Sequence, residues 1–363
     1  MLIDKIAAII PAYKPDEKLL NTLHSLVEKG FKRILVIDDG SGAEFEDIFT
    51  SVTKIPECTL LRHPVNRGKG AALKTAFRYF LDNERNMLGV VTADADGQHL
   101  SEDIVKVSEK MAQTEKVILG CRDFSEEGVP ARSKSGNRIT SLVFRIFFGM
   151  KISDTQTGLR AFPSKYIEAI CDAEGDRYEF ETNMLFLMNK RSIPYSEVKI
   201  ATVYIEENRS SHFRVVRDSI RIYGLIIKYL FSAVAALIID TAAFHVLHTT
   251  GVFNFINRLI NLPSNTVPQI VARIISSIVN YLLNSKMVFN DKVNKKTLCK
   301  YYILAAVQLL VGTVGVALLT SLLSIKDNSP FATIVYILVQ MIIYPVSFRI
   351  QHKWVFNSKK DEK

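Results

Sequence analysis

The sequence predicts an α/β domain built on a mostly parallel sheet, followed by an all-α membrane domain of four helices. Three observations carry this. Residues 1–125 alternate short β-branched runs with helical patterns, the pattern of a parallel sheet covered by helices on both faces. Beyond residue 225, four apolar stretches each approach the ~20 residues that cross a bilayer core. The formal charge of +9 is also lopsided: residues 1–224 hold 32 Lys/Arg and 32 Asp/Glu, whereas residues 225–363 hold 14 and 5. Basic residues flanking apolar runs follow the positive-inside rule, while a nucleic-acid-binding chain spreads them over a polar domain. Nucleic acid is therefore excluded as a partner. At 363 residues, 48% hydrophobic and 23% charged, the chain has room for two domains and too much apolar content for disorder.

Residues 6–10, 33–37, 59–61, 89–92 and 117–119 read as strands, and 16–28, 70–81 and 102–112 as the helices between them. Residues 126–224 are less regular. Residues 138–150 place Ile139, Leu142, Val143, Ile146 and Phe147 on one helical face, and 212–224 carry Arg214, Arg217 and Arg221. Both stretches read as helices lying on a membrane surface, or else as helices packed on the sheet. The spans fall at 229–247, 267–288, 301–325 and 331–348. Lys286, Lys292, Lys295, Lys296 and Lys300 follow the second span, and Lys353, Lys359, Lys360 and Lys363 the fourth. The other two connectors offer Arg258 and Lys326, so both termini are expected in the cytoplasm. The expected organisation is a cytoplasmic domain at 1–210, an amphipathic juxtamembrane helix at 211–224, a membrane domain at 225–357 and a charged tail at 358–363. Residues 280–289 weakly repeat 347–356, each ending Lys-x-Val-Phe, as if two related hairpins formed the bundle. The four cysteines lie far apart with no metal spacing and read as free thiols.

In open parallel sheets, ligands bind beyond the carboxyl ends of the strands. Two predicted strands end there in acid: one in Asp38-Asp39-Gly40-Ser41, the other in Asp94-Ala95-Asp96-Gly97-Gln98-His99. Asp94, Asp96 and Gln98 in a glycine-containing turn suit a hard divalent cation that also holds substrate phosphates, Mg²⁺ or Mn²⁺; an ordinary polar turn is the alternative. Asp39 suits contact with a nucleoside, or a plain Asp-Gly turn. Asn66-Arg67-Gly68-Lys69-Gly70 lacks the full phosphate-loop pattern, although amides ahead of a helix can still hold an anion.

These segments, with Ile9-Ile10-Pro11-Ala12-Tyr13, Gly120-Cys121-Arg122, Arg132, the run from Ser153 to Arg160 and Glu179-Phe180-Glu181, resemble a family 2 glycosyltransferase of the GT-A fold. Within it the chain is most similar to the dolichyl-phosphate mannose synthase and polyprenyl-phosphate glycosyltransferase group, over about residues 5–210. The run from Arg273 to Asn284 and the two Lys-x-Val-Phe endings resemble the GtrA-like membrane family. The resemblance implies a UDP- or GDP-linked sugar donor, a polyprenyl phosphate acceptor and a multi-pass protein of the cytoplasmic membrane, as a monomer or a homo-oligomer. It places Pro11, Tyr13 and Asp39 at the nucleobase, Asp94 beside the nucleotide, and Asp96 with Gln98 on the metal. It places Arg122, Arg132 and Arg209 on phosphates of donor or acceptor. Two positions depart from the group: Lys14-Pro15 follows Tyr13 where many relatives have Asn-Glu, and Cys121 stands where serine is common.

Such a reaction needs no general base, because a polyprenyl phosphate is already an anionic nucleophile at neutral pH. The site must align two anions and supply cations, which suits arginine better than histidine. His63, His99 and His212 are accordingly expected to be polar surface residues. A processive polysaccharide synthase would carry Gln-x-x-Arg-Trp, whereas Gln351-His352-Lys353-Trp354 lacks the arginine. The alternative function is a transporter or flippase whose soluble domain binds nucleotide without catalysis, and a chain that loads sugar on lipid and then moves it combines both. Asp240 and Arg273 lie inside apolar spans, where a charge facing lipid costs roughly 2.5–3.5 kcal/mol at a helix centre. They are expected to pair or to line a polar cavity near Asn280 and Asn284, unless Arg273 snorkels to the interface.

Overall fold

The computed structural model describes residues 2–84, 86–124, 131–201, 215–259, 266–324 and 330–356. It divides into two compact units, Met1–Ile222 and Tyr223–Lys363.

The first unit runs β1 (Ile6–Ala12), α1 (Lys18–Glu28), β2 (Ile34–Asp38), α2 (Glu46–Thr53), β3 (Cys58–Arg62), α3 (Lys69–Asn83), β4 (Gly89–Thr92), α4 (Ser101–Thr114), β5 (Val117–Arg122), α5 (Ala131–Val143), β6 (Arg160–Pro163), α6 (Ser164–Cys171), α7 (Glu179–Arg191) and β7 (Tyr195–Ile200). Its seven strands form one sheet in the order β3-β2-β1-β4-β6-β5-β7. Both ladders of β6 are antiparallel and the other four are parallel. Every residue of β1, β2 and β4 is buried, as expected of strands covered on both faces. Leu19, Leu23 and Leu26 of α1, and Ile104, Val107 and Met111 of α4, supply helix-spaced stripes to that core.

The five expected strands and three expected helices are all present. Strands β6 and β7 and helices α6 and α7 fill the stretch that looked irregular. Helix α5 continues into a π turn, Phe144–Phe148, which turns Phe144 and Phe148 inward onto Phe186 with ring centroids 4.9 and 4.5 Å away. Ile139, Leu142 and Ile146 remain exposed on its outer face.

The second unit contains most of α8 (Val215–Thr249), then α9 (Asn254–Leu259), α10 (Thr266–Leu283), α11 (Lys295–Leu322) and α12 (Pro330–Ile350). The expected juxtamembrane helix 211–224 is described from Val215, as the opening turns of α8, and its side chains lie outside the described residues except Gly224. Among the described residues, three helices are long and apolar enough to cross a membrane: Ile227–Thr249, Thr266–Val288 and Lys295–Leu322. The fourth expected span is α12, 21 residues long. The weak repeat is structural. Helices α10 and α12 end in matching π turns, Asn284–Val288 and Gln351–Val355, closed by Phe289 N–H to Asn284 O and Phe356 N–H to Gln351 O, each at 2.9 Å. Asn284 Nδ2 donates to Gln351 Oε1 at 3.2 Å, and the rings of Phe289 and Phe356 stack 4.9 Å apart. Tyr229 of α8 packs on Phe348 of α12 at 4.9 Å, and Tyr301 of α11 packs on Tyr281 of α10 at 5.4 Å. Asn284 and Phe289 thus meet their own counterparts, and the Tyr229–Phe348 contact is repeated as Tyr301–Tyr281.

Candidate active site

The carboxyl edge of the sheet gathers most of the residues singled out above. Ala12 of β1 is in register with Asp38 of β2, and Ile9 with Thr92 of β4. Because β6 runs backwards between β4 and β5, with Arg160 opposite both Thr92 and Leu119, its leading turn arrives at this same edge. One reversed strand therefore brings the run from Ser153 to Arg160 beside the acidic motif.

The turn after β4 is held by its own residues. Gly97 sits at φ +74°, a conformation that suits glycine, and Asp96 Oδ1 accepts the Gln98 N–H at 3.0 Å. Asp94 N–H donates to Nδ1 of His99 at 3.1 Å, which leaves the proton of the neutral ring on Nε2. Gly158 gives the Asp94 carboxylate its space, since a Cβ there would fall 2.5 Å from Asp94 Oδ2. At the start of α3, Lys69 Nζ lies 2.6 Å from Asp94 Oδ1 and 2.9 Å from Glu181 Oε1.

These contacts separate the two acids electrostatically. Burial would raise the Asp94 pKa, but the Lys69 ammonium overcomes it and holds the carboxyl well below its usual range. Burial and then the charge of Asp94 push Asp96 up, against the Gln98 amide, and Asp96 pairs with no cation among the described residues. Lys69 is raised despite its burial by the two carboxylates it bridges, and burial lowers His99.

Asp39 is buried and anchors a loop. Its Oδ1 accepts from Arg67 N–H at 3.0 Å and contacts His63 Nδ1 at 2.7 Å, and its Oδ2 accepts from Gly68 N–H at 2.7 Å. The ring of His63 continues to Thr75 Oγ1 at 2.9 Å. Asp38 likewise caps its own turn, accepting from Ser41 N–H at 2.9 Å. Pro11 is buried within β1, and Tyr13, just beyond the strand end, is 37% exposed. The expectation of surface histidines is corrected at two positions: His63 is buried and His99 half-buried, because each is the partner of a group at an acidic strand end. His212 lies outside the described residues.

Arg122, the last residue of β5, is gripped from the side. Its Nε and Nη2 donate to the two oxygens of fully buried Asp154 at 2.7 and 3.2 Å. Arg160, 1% exposed, ties this turn to α7 by donating to Thr157 O at 2.9 Å and Glu181 O at 2.6 Å. Arg132 lies in the first turn of α5, its side chain outside the described residues, as is all of Arg209. Helix α5 is nonetheless located, because Asn137 joins Ser153 O and the Thr155 N–H on either side of Asp154. Lys69, Asp154, Gly158 and Glu181 all lie within the motifs named above, but nothing local in the sequence marks what each one touches.

Among the described residues, no group of three or more His, Cys, Asp or Glu side chains is placed to hold a metal ion. Asp94, Asp96 and the Gln98 amide are nevertheless hard oxygen donors, and Mg²⁺ or Mn²⁺ takes few protein ligands when phosphates and water supply the rest. Asp96, which makes no ion pair among the described residues, fits such a cation.

Residues 7–171 match the profile of Glycosyl transferase family 2, and residues 228–356 that of the GtrA/DPMS transmembrane domain. An uncharacterized protein of Methanocaldococcus jannaschii is 30% identical over 233 residues, 63% of this chain and 93% of its own length. The chain belongs to glycosyltransferase family 2. This family 2 glycosyltransferase is 27% identical to the UDP-N-acetylglucosamine–dolichyl-phosphate N-acetylglucosaminyltransferase of Methanococcus voltae, over 55% of this chain and 86% of that one. It is 29% identical to the undecaprenyl-phosphate mannosyltransferase of Micrococcus luteus, over 57% and 86%. Glucosyl-3-phosphoglycerate synthase of Mycobacterium tuberculosis, solved with Mn²⁺, UDP and phosphoglyceric acid, matches with a TM-score of 0.47 at 14% identity, covering 64% of this chain and 80% of that one. The transmembrane-domain match and the three apolar helices make the glycosyltransferase a membrane protein.

Proposed function

We propose that this enzyme transfers a sugar, with inversion, from a UDP- or GDP-linked donor to a polyprenyl phosphate at the cytoplasmic face of the cell membrane. Residues 1–210 are taken as the catalytic domain. The observation that carries the reading is the separation of charge at the sheet edge. An acid pair is set for a cation–diphosphate, while Arg122, fixed by Asp154, offers a cation to a second anion.

A divalent cation on Asp96, Asp94 and Gln98 would neutralise charge on the departing nucleoside diphosphate. Tyr13 would face the nucleobase. Asp39 would act through the loop it anchors rather than by direct contact. Arg122 and Arg132, with Arg209, would hold the acceptor phosphate in line with the anomeric carbon. Glu181 shares the Lys69 ammonium with Asp94 and is tied down as an ion-pair partner, which suits a reaction with no general base. The lipid nature of the acceptor is supported by α5, where exposed Ile139 and Leu142 share a helix with Arg132, and by exposed Ile146 in the π turn that continues it.

The test is the purified protein with a panel of radiolabelled nucleotide sugars, Mg²⁺ or Mn²⁺, and either polyprenyl phosphate or the matching free prenol, followed by lipid extraction. Label entering the phosphate lipid alone, with inverted anomeric configuration in the product, is expected. Equal label in the free prenol would overturn the mechanism.

A further inference from the structure

We propose that the membrane domain holds a site for the phosphate head group of a polyprenyl lipid, in the cavity bounded by α8, α10 and α11. Arg273 is its cation and Asp240 the residue that positions Arg273. That the phosphate belongs to a polyprenyl lipid rests on the proposed function; the anion site itself rests on the following geometry.

The cavity has a volume of about 280 Å³ and is lined by Ala233, Ala236, Asp240, Arg273, Asn280 and Tyr301 among others. Asp240 is held from both sides: Ser276 Oγ donates to Oδ1 at 2.8 Å, and Arg273 Nη2 lies 3.2 Å from Oδ2. Arg273 is different. Its side chain remains 70% exposed, and the contact with Asp240 engages one amine of a five-donor fork. Arg273 lies seven residues into Thr266–Val288, and Asp240 nine residues before the end of Ile227–Thr249. At 1.5 Å per residue they sit about 10 and 14 Å from the ends of their spans, inside a hydrocarbon core of about 30 Å. At that depth, the group an exposed guanidinium calls for is an anion that lipid can carry.

The internal repeat supplies a control. The matching π turns set α12 against α10 at an offset of 67 residues, and the equivalent packing of Tyr229 and Tyr301 sets α11 against α8 at an offset of 72. Arg273 then corresponds to Gln340, Ser276 to Ile343 and Asp240 to Gly312. The counterparts also meet: a Cβ on Gly312 would lie 3.4 Å from Ile343 Cδ1 and 3.5 Å from Gln340 Nε2. The second hairpin packs at this level with no charge, so the framework does not require the Asp240–Arg273 pair. A pair that packing does not need, beside a cavity and open to lipid, is a binding feature.

The experiment uses the full chain in lipid nanodiscs with p-benzoylphenylalanine in place of Leu237, which lines the cavity, and tritiated polyprenyl-phosphate hexose made beforehand. Illumination is expected to label the protein. Arg273→Gln should reduce labelling at least tenfold, Arg273→Lys should restore most of it, and Asp240→Asn should reduce it severalfold. Sugar transfer should stay unchanged in each variant, and retained far-ultraviolet circular dichroism should show that each is folded. Undiminished labelling in Arg273→Gln overturns the site, as does displacement by an equal mole fraction of phosphatidylglycerol, which would make it a general phospholipid contact. Because the lipid is pre-formed, labelling without transfer would defeat only the proposed reaction, and transfer without labelling would defeat only this site.

Discussion

Lys69 reaches Asp94 at 2.6 Å and Glu181 at 2.9 Å, so one ammonium bridges two carboxylates from different motifs. All three side chains are largely enclosed, with 18%, 29% and 11% of their surfaces exposed. Asp94 is thereby kept ionised while Asp96, two residues on, is pushed up.

Replacing Lys69 with Met leaves two enclosed carboxylates without a cation and is expected to destabilise the first unit by ~3 kcal/mol at neutral pH. The pH dependence has a definite sign. The lowered Asp94 pKa contributes stability that is complete above the ordinary value of 3.8 and is lost as pH falls through the depressed one. The mutant lacks that contribution, so the gap between the two proteins should narrow as the pH falls below about 4. Thermal melts of both proteins in EDTA, from pH 7 downward, check this; a gap that widens in acid contradicts it.

Asp96→Asn should lower turnover by ~100-fold or more, since neutralising a leaving diphosphate is a contribution of several kcal/mol. Its melting temperature should hold or rise slightly, because the substitution removes a like-charge neighbour of Asp94. Activity assays beside Mn²⁺ binding by electron paramagnetic resonance would separate metal loss from misfolding.

Gly158→Ala tests the space behind Asp94. The added methyl falls 2.5 Å from Asp94 Oδ2, so the carboxylate or the turn must move, at a cost of ~1–3 kcal/mol for overpacking. Mn²⁺ affinity should fall at least tenfold while far-ultraviolet circular dichroism is retained. Unchanged affinity would mean that Asp94 is not a ligand.

Asp154→Asn removes the charge that holds Arg122 and should raise the KM for the lipid acceptor about tenfold, with a smaller change for the donor. Steady-state kinetics with each substrate varied in turn gives the comparison, and an effect confined to the donor would reassign Arg122 to the nucleotide.

In the membrane domain, Asn284→Leu and Gln351→Leu should prove coupled by ~0.6 kcal/mol in a double-mutant cycle, a common value for hydrogen bonds between membrane helices. Additive effects would show that the bond between the two repeats carries no energy of its own.

The strands that lead into acid are legible because β2 and β4 are short, wholly buried and β-branched, and Asp38 at the end of β2 and Asp94 just past β4 break that pattern abruptly. Strand β6 gave no such signal: it has four residues, begins with a buried arginine and runs antiparallel, so neither alternation nor an apolar run marks it. The run leading into it was legible as a motif, but its work is done in three dimensions, with Asp154 on Arg122, Gly158 under Asp94 and Arg160 on α7. Lys69 reads from sequence as part of an anion-binding loop, because its partners lie on other elements. His63 and His99 were misplaced for a related reason: a histidine beside a polar turn looks exposed until the acid or amide that it serves is folded against it.

The doubled π turns also bear on ancestry. Were each hairpin a separate chain, Asn284 and Phe289 would find their partners only in a second copy, and the pair would assemble as a symmetric dimer in which every feature occurs twice. A charged span would then be present in both copies or in neither. Joining the hairpins in one polypeptide lifts that rule, so one half can carry Asp240 and Arg273 while the other carries Gly312 and Gln340. Fusion is what permits a single asymmetric site in a framework built from two like parts.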